Sequence, residues 1–236
     1  MAESPVSGIR WVPLESNPEV LTKYSRILGA KQGQWVDVFA LDNDSLQDIP
    51  KPVNAVILLF PISESYDKFC KEKDDNLKLK GQEISKNLFY MKQYVGNACG
   101  TIGILHSLAN NDDVVQLADG STLKEFIVKT DGMTAEDRGK ELEKFNRIAS
   151  AHSEIATEGQ TAPPASDEHL VTHFVAFVHK DGNLYELDGR RMGPVNHGPT
   201  IPEHLLKDAA VICKQRIDLD PTEYRFTIVA LTTGKV

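Results

Sequence analysis

The chain has 236 residues, 41% hydrophobic and 25% charged, an ordinary balance for one domain or two small ones with a core of its own. Its formal charge of -8 speaks against nucleic acid and anionic membrane, whose binding needs Lys/Arg patches. Three cysteines, Cys70, Cys99 and Cys213, with no C-x-x-C, argue against a disulfide framework or a zinc cluster and set the expectation of a reducing, cytosolic setting.

In chain order, the opening residues carry no apolar stretch of the kind a signal peptide needs, so none is expected. Asn17-Pro18-Glu19 predicts a helix start, with Asn as N-cap, Pro in the first turn and an acid at the positive dipole end; Gly29 is its expected stop. Val36 to Leu41 reads as a strand. Val53 to Phe60 is a near-continuous apolar run ending at Pro61, as for a strand buried on both faces, and too short to span a bilayer. Lys71 to Lys80 mixes both charges and reads as a solvated helix face or loop. Thr134-Ala-Glu-Asp137 resembles a capping box opening a helix through about Ala149. Glu158 to Asp167 is rich in turn formers and predicts a loop or linker. Two strands, His173 to Val178 and Leu184 to Leu187, flank Lys180-Asp-Gly-Asn183. Pro202 opens another helix, and Tyr224 to Leu231 is a last strand. Interspersed strands and helices make the class α/β or α+β.

The chemistry concentrates in Gln93-Tyr-Val-Gly-Asn-Ala-Cys-Gly-Thr-Ile-Gly103. Asn97 is the expected cap of a helix whose apolar positions are Ile102, Leu105, Leu108 and Ala109. Cys99 then falls in the first turn, where free N–H groups and the positive dipole end lower a thiol pKa and can hold an oxyanion. Taken alone, a cysteine in that place is more often core, so the assignment needs a base. The hairpin singles one out. A two-residue loop, Asp181-Gly182, makes paired positions sum to 363, so His173 and Asp188 become diagonal neighbours within reach of an imidazole–carboxylate hydrogen bond. The residues then fit cysteine hydrolysis, with Cys99 as thiolate, His173 as acid and base, and Asp188 holding the ring. The amide of Gln93 can donate to the oxyanion. A solvated glutamine and two polar residues at the ends of a hairpin are the plainer readings of the same positions.

At these residues the chain resembles the ubiquitin carboxyl-terminal hydrolases. Gln93 to His106 is similar to their nucleophile motif, His173-Phe-Val-Ala-Phe-Val178 to their histidine motif, and Tyr185-Glu-Leu-Asp-Gly-Arg190 to their aspartate motif. Arg10 to Glu19 resembles the family's opening, and Glu158-Gly-Gln-Thr161 its crossover loop. The likeness covers nearly the whole chain and is closest to the short members, the isozyme L3 type. It implies a single catalytic domain over 1–236, papain-like, with an antiparallel central sheet between helical layers and a knotted chain. It implies hydrolysis of amide, ester or thioester bonds after the C-terminal glycine of ubiquitin, or of related modifiers, without cofactor or metal. It implies a monomer in the cytoplasm, with the nucleus as second location. A crossover loop is expected at about 151–170, and ubiquitin contacts at Leu14, Glu15 and Glu19.

Other residues carry less. His169, His173 and His179 invite a metal reading, but H-E-x-x-H is lacking and the segment reads as extended. Cys213 follows an apolar helical pattern and is expected in the core. His106 lies two turns from Cys99, too far to pair with it, and His197 sits in a turn-like Asn-His-Gly-Pro. The rival functions are another Cys-His-Asp enzyme, such as an acyltransferase, and a non-catalytic ubiquitin-binding module.

Overall fold

In the computed structural model, residues 8–160 and 172–235 are described. Asn17 caps α1 (Pro18–Leu28), accepting from the N–H groups of Glu19 and Val20, and Gly29 ends it with φ of 117°. β1 (Gln34–Asp37) is shorter and earlier than the apolar pattern to Leu41 suggests. Beyond Asp37 the Val38 N–H still bonds to Ile228 O, and the chain then turns to Asp42, which caps α2 (Asn43–Gln47). β2 (Val53–Pro61) follows the predicted run. Ser63 then caps α3 (Glu64–Lys80), the mixed-charge segment, which forms a helix that buries only Tyr66.

α4 (Cys99–Ala109), α5 (Asp112–Val115) and α6 (Thr122–Lys129) come next. The predicted helix from Thr134 is two: α7 (Ala135–Lys144), capped by Thr134, and α8 (Asn146–Ile155), parted at Phe145. Phe145 leaves helical geometry at ψ of 80° and stacks edge-on against Phe126, 5.2 Å between centroids. α8 therefore runs into the segment expected as loop, which starts after Ile155; residues 161–171 lie outside the described ones. β3 (Thr172–Lys180) and β4 (Asn183–Leu187) form the hairpin. His197 belongs to a strand, β5 (Val195–Pro199), rather than a turn. A 3-10 turn from Pro202 leads into α9 (Leu205–Ile217), and β6 (Thr227–Thr232) closes the chain order.

The described strands form one antiparallel sheet in the order β1-β6-β2-β3-β4-β5. Because side chains alternate across a strand, β2 feeds two cores. Ala55 and Ile57 join α1, α4, α6 and α8 on one face; Val56, Leu58 and Phe60 join α2 and α9 on the other. α4 is buried on every side from Gly100 to Leu108, which explains an apolar pattern with no polar stripe. Gly100 makes its seat possible: a Cβ there would stand 3.1 Å from the Leu14 Cβ and 3.3 Å from the Phe174 ring.

Candidate active site

Three pieces of chain meet where β3 begins and β4 ends. The first is the start of α4, with Cys99 as its first residue. Asn97 is not the cap. It sits at φ of 59°, a left-handed conformation that asparagine tolerates, and turns the chain into the helix behind Ala98. Ala98 offers no side-chain cap, so the first-turn N–H groups stay available around Cys99.

The second piece is the β3–β4 hairpin. Asp181 and Gly182 both have positive φ, 45° and 80°, as a two-residue turn of this hand requires. The register runs Lys180↔Asn183, Val178↔Tyr185 and Ala176↔Leu187, the pairing that the 363 sum demands. His173 Nε2 and Asp188 Oδ1 lie 2.7 Å apart, at 3% and 2% exposure. Asp188 Oδ1 also accepts from the Arg190 N–H at 2.8 Å, and Oδ2 from the Tyr66 hydroxyl at 3.3 Å. Both carboxylate oxygens are thus fixed. With Nε2 committed to Asp188, the other ring nitrogen is left for the Cys99 thiol, with which His173 shares a hydrogen bond.

The third piece is the segment from Phe89 to Val95. Its Gln93 N–H donates to Gly189 O at 2.8 Å, and a Cβ on Gly189 would come within 3.1 Å of the Gln93 Cβ. The residue after Asp188 must therefore be small. Tyr90 hydroxyl reaches the carbonyls of Asp188 and Arg191, at 2.8 and 3.1 Å, and the buried His106 accepts from the Met91 N–H at 3.1 Å. The Gln93 amide is half-buried. Its Nε2 donates to Val95 O at 3.1 Å, leaving one further N–H, while Oε1 is buried without a partner.

The electrostatics follow from this packing. Burial resists ionisation of Cys99, but the hydrogen bond and charge of His173, with the N–H groups of Phe174 and Gly100, outweigh it and hold the thiol pKa below its usual value. Burial also opposes a charged His173, yet the Asp188 carboxylate and Cys99 lift its pKa to about 9. Asp188 in turn is held low despite its burial, chiefly by the His173 charge. Both shifts favour the thiolate–imidazolium form of the pair. Cys70 and Cys213 are the opposite: burial lifts them to about 11 and about 12.

Behind Asp188 lies a buried charge cluster that the sequence did not reveal. Glu186 accepts from Arg216 at 2.7 Å and His197 at 2.8 Å, and contacts Arg191 at 3.3 Å; Arg191 also pairs with Asp74 on α3. Tyr66, Tyr90 and Gly189 were not legible because each acts on residues far along the chain, up to 122 positions for Tyr66 and Asp188, and the cluster closes only when Asp74 and Arg216, from distant helices, reach it.

The expected ubiquitin contacts divide. Leu14 is a core residue, 6% exposed, packed on Gly100 beneath the nucleophile turn. Glu15 is half-buried, with its carboxylate close to Gly159, and Glu19 is exposed in the first turn of α1. Trp11 N–H to Gly96 O and Gly96 N–H to Ile9 O strap this opening segment to the stretch that leads into Cys99.

A thiol at a helix start, an imidazole on it and a carboxylate behind the imidazole define a cysteine hydrolase. The family model for ubiquitin carboxyl-terminal hydrolase, family 1, matches residues 11–218, and the chain belongs to that family. A Drosophila melanogaster ubiquitin carboxyl-terminal hydrolase is 47% identical over 228 residues, covering 96% of this chain and 99% of its own. The human ubiquitin carboxyl-terminal hydrolase isozyme L1 is 45% identical over 221 residues, covering 93% and 96%. End-to-end coverage fits a short member, and the isozyme named among these relatives is L1. In structure, the chain resembles the Trichinella spiralis UCH37 catalytic domain bound to ubiquitin vinyl methyl ester, with a TM-score of 0.74, 25% identity and coverage of 98% and 99%.

Proposed function

We propose that this cysteine protease releases small amide, ester and thioester adducts and short peptides from the C-terminal glycine of ubiquitin, and of modifiers with a similar tail. The observation that carries the assignment of roles is the 2.7 Å contact from His173 to Asp188, on a ring that also hydrogen-bonds the Cys99 thiol. The Cys99 thiolate attacks the glycine carbonyl carbon, and the developing oxyanion is held by first-turn N–H groups of α4 and the remaining Nε2–H of Gln93. As the carbon–nitrogen bond breaks, the His173 imidazolium gives its proton to the leaving amine, leaving a thioester on Cys99. Neutral His173 then takes a proton from water, whose oxygen attacks the thioester and restores thiolate and imidazolium. Asp188 keeps the ring turned and offsets its charge.

A non-catalytic ubiquitin-binding module would not need a thiol held below its usual pKa by an oriented imidazole. We further place the protein as a monomeric single-domain enzyme of the cytoplasm, with the nucleus as alternative; sedimentation and cell fractionation test those two points. The activity is tested by turnover of ubiquitin carrying a fluorogenic C-terminal amide. Wild type should release the fluorophore and Cys99→Ala should not. Equal rates for the two would sink the assignment.

A further inference from the structure

α3 is an unusual element to find beside a reactive centre. Ten of its seventeen residues are charged, and Tyr66 is its single buried side chain. Yet α3 grips the turn after β4 at two points. Near its start, the Tyr66 hydroxyl donates to Asp188 Oδ2. Eight residues on, a little over two turns, Asp74 pairs with the Arg191 guanidinium, and the Arg191 N–H donates to Asp188 O at 3.1 Å. The two grips bracket Asp188, one on its side chain and one on its backbone. The first is directed: Oδ1 is already occupied by His173 and the Arg190 N–H, so a donor on Oδ2 fixes the rotation of the carboxylate about its Cβ–Cγ bond.

We propose that Tyr66 is a positioning residue for the hydrolytic reaction, setting the Asp188 carboxylate that orients His173, with α3 as its rigid mount. This rests on the roles assigned above. Tyr66 is placed to act on His173 through Asp188; its ring also packs edge-on against Phe60, 4.6 Å between centroids, a contact that Phe in its place keeps. Burial, with the negative charge of Asp188, keeps its hydroxyl protonated well above the usual tyrosine range, so the donor persists at every working pH.

The test is a double-mutant cycle of Tyr66→Phe and Asp188→Ala, read as kcat and KM on the fluorogenic ubiquitin amide. Phe fills the same volume, so only the hydroxyl is lost. In the wild-type background Tyr66→Phe should lower kcat about tenfold, as for a long hydrogen bond to a charged group, with KM within about twofold. In the Asp188→Ala background it should change kcat by less than about twofold. The same tenfold loss in both backgrounds would overturn the proposal, since Tyr66 would then act on the fold and not through Asp188. No loss in either would overturn it as well. The rate of Cys99 alkylation by iodoacetamide completes the cycle where turnover is slow. It needs no ubiquitin, so it judges Tyr66 even if the substrate assignment fails. Should Tyr66→Phe not fold, Asp74→Asn releases the second grip from the rim of the protein; a loss that vanishes in Asp188→Ala supports the brace, and an equal loss in both backgrounds refutes it.

Discussion

Asp188→Asn separates orientation from charge. An amide can keep its oxygen on His173 and the Arg190 N–H, where Oδ1 now sits, and turn its NH2 toward the Tyr66 hydroxyl oxygen. The geometry can therefore survive, and the charge cannot. Burial alone would push the His173 pKa down, yet it stands at about 9 against an ordinary 6.5, with the Asp188 carboxylate the foremost cause of the rise. At about 1.4 kcal/mol per pH unit, that difference is worth about 3 kcal/mol in favour of imidazolium, and so of the thiolate beside it. Losing most of it should lower kcat on the ubiquitin amide by about 10²-fold, with KM within about twofold. The alkaline limb of the rate profile, set near 9 by His173, should move to lower pH as the ring loses its proton more easily. Steady-state rates across pH 6–10 provide the readout. A kcat within about twofold of wild type, or an alkaline limb that stays near 9, would refute the reasoning.

Other predictions follow from the same structure. Gln93→Ala should lower kcat by roughly 10²-fold through the oxyanion, and an effect on KM alone would move Gln93 into substrate binding. Glu186→Gln should destabilise the fold by about 3–5 kcal/mol in urea melts, because Arg216 and Arg191 would be left buried without their shared partner; a loss below about 1 kcal/mol would show that water reaches the cluster. His106 and His152 have their pKa lowered to about 4 by burial. The unfolded chain then binds their protons first, so stability should fall as pH drops from 6.5 toward 4, by up to about 1.4 kcal/mol per pH unit for each; a flat urea midpoint over that window would contradict their burial as neutral rings. Salt should slow capture of ubiquitin's basic tail by this chain of charge -8, and an association rate indifferent to salt would leave that charge a matter of solubility.

The hairpin and the first helix were legible because their signals are local. Asp181-Gly182 fixes the turn, the turn fixes the register, and the register brings His173 to Asp188. Asn17, Pro18 and Gly29 do the same for α1. The start of α4 departs from its local signal for a physical reason. Asparagine serves both as an N-cap and as a left-handed turn residue, and the segment before Cys99 needed the turn. The break at Phe145 and the inward face of Leu14 belong to tertiary packing, against Phe126 and Gly100 respectively, which no local pattern encodes. The same holds for Tyr66 and Glu186. Tyr66 reads as an ordinary aromatic in a charged helix, and Glu186 as an outward-facing strand residue, until the sheet and α9 close over them.

The central claim is that Cys99, and neither of the other thiols, is the nucleophile that meets the ubiquitin C-terminus. Incubating the protein with ubiquitin bearing a C-terminal vinyl methyl ester, then mapping the adduct by peptide mass, tests it directly. One ubiquitin should add per chain, on Cys99, and the rate should collapse in Asp188→Asn. An adduct on Cys70 or Cys213, or none at all while the fold is intact, would contradict the account.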